Sequence, residues 1–190
     1  MSFRSLYDLR QQKPEYINRN VIRDMILGIT SIPRISVVIG EMDVKVCRGL
    51  YLSPQNKDHH FVKQLGHHVI SVARDQNRCW QRFIVIKEMM HMFADPITAA
   101  DSGETFEQLL EDFSSQASEI SPQMRSEFDC TWMALAAICR EDKRIEYMEM
   151  RRRNEISDYQ IALELKIPQL MLPNLFHAKY RSVIDQIIGA

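Results

Sequence analysis

Residues 81–96 read QRFIVIKEMMHMFADP, and this stretch decides the fold prediction because it places a metal-binding pattern inside a predicted helix. Asn77 is an N-cap candidate, so the pattern predicts a helix from Cys79 to Phe93. Residues 87–91, KEMMH, match the zinc-binding motif H-E-x-x-H except that lysine replaces the first histidine. In the intact motif, two histidines four residues apart bind Zn²⁺ from one helix face, and the glutamate polarises the metal-bound water.

A glutamate on a later helix is the second candidate residue. Ser121 and Pro122 form an N-cap followed by proline at the first helical position, which predicts a helix running to about Cys139. On that helix Glu127 heads an otherwise buried face, whose other members are Cys130, Thr131, Ala134 and Ile138. A buried carboxylate needs a cation or hydrogen bonds, so this position predicts a charged partner for Glu127.

Together, the two segments resemble the ImmA/IrrE family of zincin-like metallopeptidases. In that family an R-R-F-T-x-A-H-E-L-G-H helix follows a strand, and E-x-x-A-N-x-F-A on a later helix supplies a glutamate ligand. Here residues 81–83, QRF, match the lead-in, and residues 127–134, EFDCTWMA, stand in register with the second motif. The resemblance implies a zincin-like fold with His91 and Glu127 as metal ligands, if metal is bound. It implies Glu88 as the catalytic base, if the protein is active.

Two departures from the family pattern affect the site. A protonated lysine has no free lone pair, so Lys87 would repel Zn²⁺ where the family has a ligand. Met90 replaces the small glycine, and only His91 and Glu127 remain of the three ligands that a catalytic zinc site uses. We therefore expect a catalytically impaired protein with no cofactor, or with Zn²⁺ only if the site is functional. The sharper hypothesis is that the Lys87 ammonium contacts Glu127, or Glu88, and stands in for the metal.

Three functions follow from these observations. The resemblance implies an origin in bacteria, phages or mobile elements, where active members cleave DNA-binding repressors. The first hypothesis is a degenerate member that binds a regulatory protein. The alternative is an active zinc metallopeptidase that cleaves a transcriptional repressor. A second alternative is a helix-turn-helix DNA-binding regulator, suggested by residues 157–174. Nucleic acid is the weaker partner prediction, because Leu170, Met171 and Leu172 crowd the helix that would read the major groove.

Composition and apolar patterning argue against several other classes of protein. The chain has 24 Lys and Arg against 25 Asp and Glu over 190 residues, which argues against a generally basic nucleic-acid coat. The unbroken apolar runs of the chain, such as Met133 to Cys139, are too short for a membrane span. None of the four cysteines forms a C-x-x-C pair, so we expect reduced thiols and a cytoplasmic protein.

The remaining pattern predicts an α+β fold with a small antiparallel sheet, mainly helices and a C-terminal helical cap. A helix is expected from Tyr16 to Leu27 with Gly28 as C-cap, followed by strands Ile35–Ile39 and Val44–Tyr51 as a hairpin, then strand Val69–Ala73. Residues 1–140 would form the metallopeptidase-type domain, and residues 141–190 a helical segment packed on it. The predicted core is Phe83, Ile86, Met90, Leu109, Phe113, Met133, Ala134 and Ile138. The predicted exposed histidines are His59, His60, His67, His68 and His177.

Overall fold

The computed structural model describes residues 2–95, 98, 103–114 and 120–189, apart from the side chains of residues 103, 106, 113 and 114, and it confirms the α+β class. The strands are β1 Ile35–Gly40, β2 Gly49–Leu52 and β3 His68–Ala73. The helices are α1 Phe3–Gln11, α2 Arg19–Ile29, α3 His60–Leu65, α4 Arg78–Met90, α5 Gly103–Ser114, α6 Pro122–Ile138, α7 Glu141–Arg152, α8 Asp158–Leu165, α9 Leu172–Leu175 and α10 Tyr180–Ile188. Short 3-10 helices cover His91–Phe93 and Gln169–Met171.

The sheet is mixed, with the strand order β1-β3-β2. β1 runs parallel to β3, and β2 runs antiparallel to it, so the predicted hairpin of the first two strands is wrong and the sheet is antiparallel only in its β2–β3 half. The error has a physical cause. β3 is apolar and buried on both faces, which places it at the centre of the sheet. Residues 44–46, predicted as strand, instead form a turn closed by hydrogen bonds to the Asp43 carbonyl.

Side-chain caps set the starts of the site-bearing helices. The Asn77 side chain accepts a hydrogen bond from the Trp80 N–H at 3.0 Å, and Ser121 accepts one from Met124 at 3.2 Å. Both caps confirm the predicted helix starts. Gly28 is not a C-cap, because α2 continues through it to Ile29. The first helix, α1, and the short α3 were not predicted.

The core forms where α4, α6 and the sheet pack together. The predicted core residues that the structure describes are all buried: Phe83, Ile86, Met90, Leu109, Met133, Ala134 and Ile138. The Phe113 side chain lies outside the described residues. Within the described part of the chain, no helix combines the length and apolar character that crossing a bilayer requires.

A buried arginine joins the N-terminal helix to the end of α6. Arg10 is fully buried, and its guanidinium donates hydrogen bonds of 2.9 Å each to the Ala137 and Ile138 carbonyls. It also donates to the carbonyls of Pro14 and Glu15. The last carbonyls of a helix lack partners within the helix, so Arg10 satisfies groups that would otherwise be buried without hydrogen bonds. α10 packs on both α1 and α6.

Candidate functional site

The candidate site forms where the end of α4 meets the start of α6. Lys87 and Glu88 lie in the last turn of α4, and His91 caps that helix. Glu127 lies in the second turn of α6, and the two helices pack directly on each other. The structure therefore brings together the four residues that the two sequence motifs predicted.

The four side chains form a cluster of alternating charges, which we call the Lys87 cluster (Lys87, Glu88, His91 and Glu127). The Lys87 ammonium donates to Glu88 Oε1 at 2.9 Å and contacts Glu127 Oε2. His91 Nε2 lies 3.3 Å from Glu127 Oε1 and 3.5 Å from Glu88 Oε2. The predicted contact between Lys87 and Glu127 is confirmed, and the contact with Glu88, predicted as its alternative, is present as well. Each basic group thus contacts both carboxylates.

Burial makes these contacts strong. The side chains of Lys87 and Glu127 are only 14% and 19% exposed, and those of Glu88 and His91 only 5%. Burial disfavours a charged ammonium, yet Glu88 and Glu127 outweigh it and hold the pKa of Lys87 well above its ordinary range. Burial likewise disfavours a carboxylate, but Lys87 and His91 hold the pKa of Glu127 well below its ordinary value. Both groups therefore stay ionised at neutral pH.

The imidazole of His91 completes the charge balance. Burial alone would lower its pKa, but Cys130, Glu127 and Glu88 surround it and raise the pKa of His91 to about 10. The Tyr51 ring stacks on it at a centroid distance of 5.8 Å and an angle of 5°. With His91 protonated, two cations face two carboxylates, and the Lys87 cluster carries no net charge.

Protein stability should therefore peak in mildly acidic solution. The lowered pKa of Glu127 contributes stability above its ordinary value of 4.5 and loses it as pH falls further. The raised pKa of His91 contributes stability below its ordinary value of 6.5 and loses it as pH rises toward about 10. We expect the free energy of unfolding, measured by urea titration across pH, to be highest between 4.5 and 6.5.

Two single variants separate this cluster from the other titrating groups. Glu127→Gln should flatten the acid side of the pH profile, and His91→Gln should flatten the alkaline side. If both variants keep the slopes of the wild-type profile, the cluster does not control the pH dependence.

The donor set differs from the three-ligand set of the family's zinc motif. The Lys87 ammonium engages both carboxylates at the position where the family motif has a histidine ligand. Within the described residues, no group of three or more His, Cys, Asp and Glu side chains is arranged to hold a metal. His91 and Glu127 face each other as an ion pair, and an ammonium stands between Glu127 and Glu88.

A cleft of about 370 Å³ lies over the Lys87 cluster. Strand β2 and the preceding turn form one wall, α4, α5 and α6 form most of the rest, and Met171 and Asn174 of the C-terminal segment complete the lining. Val46, Leu110 and Phe128 line this cleft and are 56%, 36% and 43% exposed, respectively. Three large apolar side chains open to solvent around one concave surface are typical of a binding site rather than of ordinary surface.

Two residues of this region were missed by the sequence analysis. At Gly49 a Cβ would lie 2.3 Å from Ile84 Cγ2 and 3.1 Å from the Ser71 carbonyl oxygen, so only glycine lets β2 approach α4 this closely. An isolated glycine in a strand pattern is a signal for such an approach. Tyr51 carried no motif, and its role appears only in the packed fold.

The other histidines do not follow a single pattern. His177 and His60 are exposed as predicted. His59, His67 and His68 are half-buried, so the prediction of exposed residues is wrong for them. The Ser36 hydroxyl lies 2.7 Å from His67 Nε2, and the Tyr51 hydroxyl lies 2.7 Å from His68 Nδ1. These hydrogen bonds hold both imidazoles against the sheet.

In residues 157–174, predicted as a helix-turn-helix alternative, the second helix is short. α8 begins at the predicted capping box of Ser157 and Gln160, but it is followed by a 3-10 turn and by α9, which has only four residues. Pro173 lies in the first turn of α9 rather than breaking a longer helix, and Leu172 and Leu175 are buried. Recognition helices present polar side chains over several turns, which this segment does not provide.

Comparisons with known proteins add no relative. The chain matches no protein-family model, no curated protein and no solved structure at a significant level. The ImmA/IrrE resemblance therefore stays a prediction that rests on the two motifs.

Proposed function

We propose that this protein binds an extended segment of a partner protein in the cleft over the Lys87 cluster and does not hydrolyse it. The observation that carries the proposal is the Lys87 ammonium, which contacts both carboxylates beneath a cleft with several exposed apolar side chains. The ionised side chains of the cluster would form the base of a binding site.

The chemistry of the cluster argues against peptidase activity. Glu88 occupies the position of the general base, and a general base must reach the water whose proton it removes. Here Glu88 Oε1 accepts a hydrogen bond from Lys87, and its other oxygen faces His91. Both oxygens of Glu88 are therefore engaged by basic side chains and are not free to accept a proton from a water.

The shape of the cleft argues for an extended ligand. Of the described strands, β2 pairs only with β3, and the segment from Val46 to Leu50 lines the cleft. A peptide can add to such an edge strand through main-chain hydrogen bonds, with alternate side chains filling apolar pockets. Because Val46, Leu110 and Phe128 are the exposed apolar side chains of the cleft, the matching segment would carry apolar residues; Arg48, Thr131 and Asn174 also line the cleft and would meet polar groups of the ligand.

The motif resemblance extends the proposal to the class of partner. Active ImmA/IrrE members cleave DNA-binding repressors, so an impaired relative would keep the binding surface for such a protein. The partner would then be a transcriptional regulator of a bacterium or a phage, and the protein would act by binding to it.

Selection from a random peptide library tests the binding proposal. We expect the wild-type protein to enrich peptides with alternating apolar residues. Phe128→Asp, and separately Val46→Asp, should abolish this enrichment because each places a charge in the cleft. Tyr159→Asp is the matched control, because Tyr159 is a 61% exposed aromatic residue on α8 and does not line the cleft.

Two outcomes would contradict the proposal. One is enrichment that survives both cleft variants, which would place binding elsewhere. The other is cleavage of the selected peptides that depends on added zinc and on Glu88, which would make the protein an active peptidase.

A further inference from the structure

We propose that a second pocket, between the start of α2, the start of α4 and the end of α8, binds a phosphate group, either free or as the monoester of a small molecule. The pocket has a volume of about 400 Å³. Its described lining residues differ from those of the cleft over the Lys87 cluster, so the two sites are independent.

The charge of this pocket is entirely positive. Its lining includes Arg19, Arg78, Arg82 and Lys166, and among the described residues no Asp or Glu lines it. In the described part of the chain none of these four cations forms an ion pair with a carboxylate. Many other arginines do, including Arg144 with Glu141 at 2.7 Å. A cluster of unpaired cations in a nearly neutral protein indicates a site for an anion.

Arg82 brings a buried charge to the pocket. Its residue is only 8% exposed, and it donates to the Leu165 carbonyl at 2.9 Å and to the Ile17 carbonyl at 2.8 Å. Its Nε atom is buried and has no hydrogen-bond partner among the described residues. A buried donor without an acceptor is costly, and a guanidinium is well suited to phosphate oxygens.

Lys166 also lines this pocket, and its backbone is in a strained conformation. It ends α8 in the left-handed conformation, with φ of 52°, where glycine or asparagine is the usual residue. Its ammonium lies 4.3 Å from the centre of the Tyr16 ring, and the Arg82 guanidinium lies 5.3 Å from the same centre. One exposed aromatic ring therefore holds two cations at the pocket. Strain of this kind is often found at binding sites.

Two helix starts add to the positive potential. α2 and α4 have 11 and 13 residues, and their first residues, Arg19 and Arg78, both line the pocket. The dipole at a helix start favours anions. Asn18 and Asn77 already accept hydrogen bonds from N–H groups of these first turns, so the helix dipoles, rather than a full set of free N–H groups, make this contribution. With the four side-chain cations, every charged feature of the pocket selects for the same ligand class. The volume suits a small molecule rather than a protein surface.

Calorimetric titration with inorganic phosphate, adenosine monophosphate and adenosine tests this inference at constant ionic strength. We expect saturable binding of phosphate or of the monophosphate and no binding of adenosine. Equal affinity for both would assign the site to phosphate itself, and tighter binding of the monophosphate would assign it to a monoester. Arg78→Gln and Arg19→Gln should each raise the dissociation constant by about tenfold, since each removes one charged hydrogen-bond donor.

Arg152→Gln is the matched control, because Arg152 is an exposed arginine paired with Glu149 away from the pocket. It should leave the dissociation constant unchanged. Absence of saturable binding by both phosphate and the monophosphate would overturn the inference. So would affinities that Arg78→Gln and Arg19→Gln leave unchanged, or adenosine binding as tight as that of its monophosphate. Binding only to a DNA duplex would also overturn it and would assign the cations to a nucleic-acid backbone.

Discussion

Replacing Lys87 with methionine is expected to lower the free energy of unfolding by about 3–5 kcal/mol, because it removes one partner from a buried ion cluster. Glu88 and Glu127 would then share a buried site with only His91 as a cation. Methionine keeps most of the apolar length of lysine, so the loss reports the missing charge rather than a cavity. Urea denaturation of the two proteins measures the difference directly.

A double variant distinguishes the charge effect from general damage. Lys87→Met with Glu127→Gln removes one charge of each sign and should recover part of the lost stability. Lys63→Met is the control, because Lys63 is an exposed lysine on α3, and its effect should stay below about 0.5 kcal/mol. A Lys87→Met protein as stable as the wild type would show that the carboxylates do not need the ammonium.

Replacing Arg10 with methionine is expected to have a comparable effect, about 3–5 kcal/mol. The change leaves the Ala137 and Ile138 carbonyls buried without donors, and each such group costs about 1–3 kcal/mol. It also removes the hydrogen bonds that hold Pro14 and Glu15 against α1. Thermal or urea unfolding measures the loss.

Arg4 provides a matched control for this second prediction. It also donates from α1 to carbonyls of another helix end, those of Ile188 and Gly189, but it is exposed. Water can replace its hydrogen bonds, so Arg4→Met should cost less than about 1 kcal/mol. Similar losses for the Arg10 and Arg4 variants would mean that burial of the α6 carbonyls contributes little.

Local signals made much of the helical structure predictable. Asn77, Ser121 and Ser157 each cap a helix within three residues of themselves, so the sequence contains the whole interaction. The spacing of Lys87 and His91 likewise fixes their shared helix face. Sheet order was not predictable in this way, because the central place of β3 depends on which faces distant helices cover.

The candidate site was found through motifs, and its surroundings were not. Glu127 could be matched to His91 only because a second motif stood in register with the first. Gly49 and Tyr51 belong to a strand whose partner and packing are set by the tertiary fold. Arg82 was predicted only as part of a motif lead-in, and its pocket is assembled from segments far apart in the chain.

We propose that Lys87 stands where the resembled family has a metal ligand, and that the site holds a balanced ion cluster instead of zinc. The zinc content of the wild-type protein, purified without chelators or added metal and measured by mass spectrometry, tests this most directly. We expect well under one zinc per chain, with no loss of stability on treatment with a chelator. One tightly bound zinc per chain that disappears in Glu127→Gln would contradict the claim.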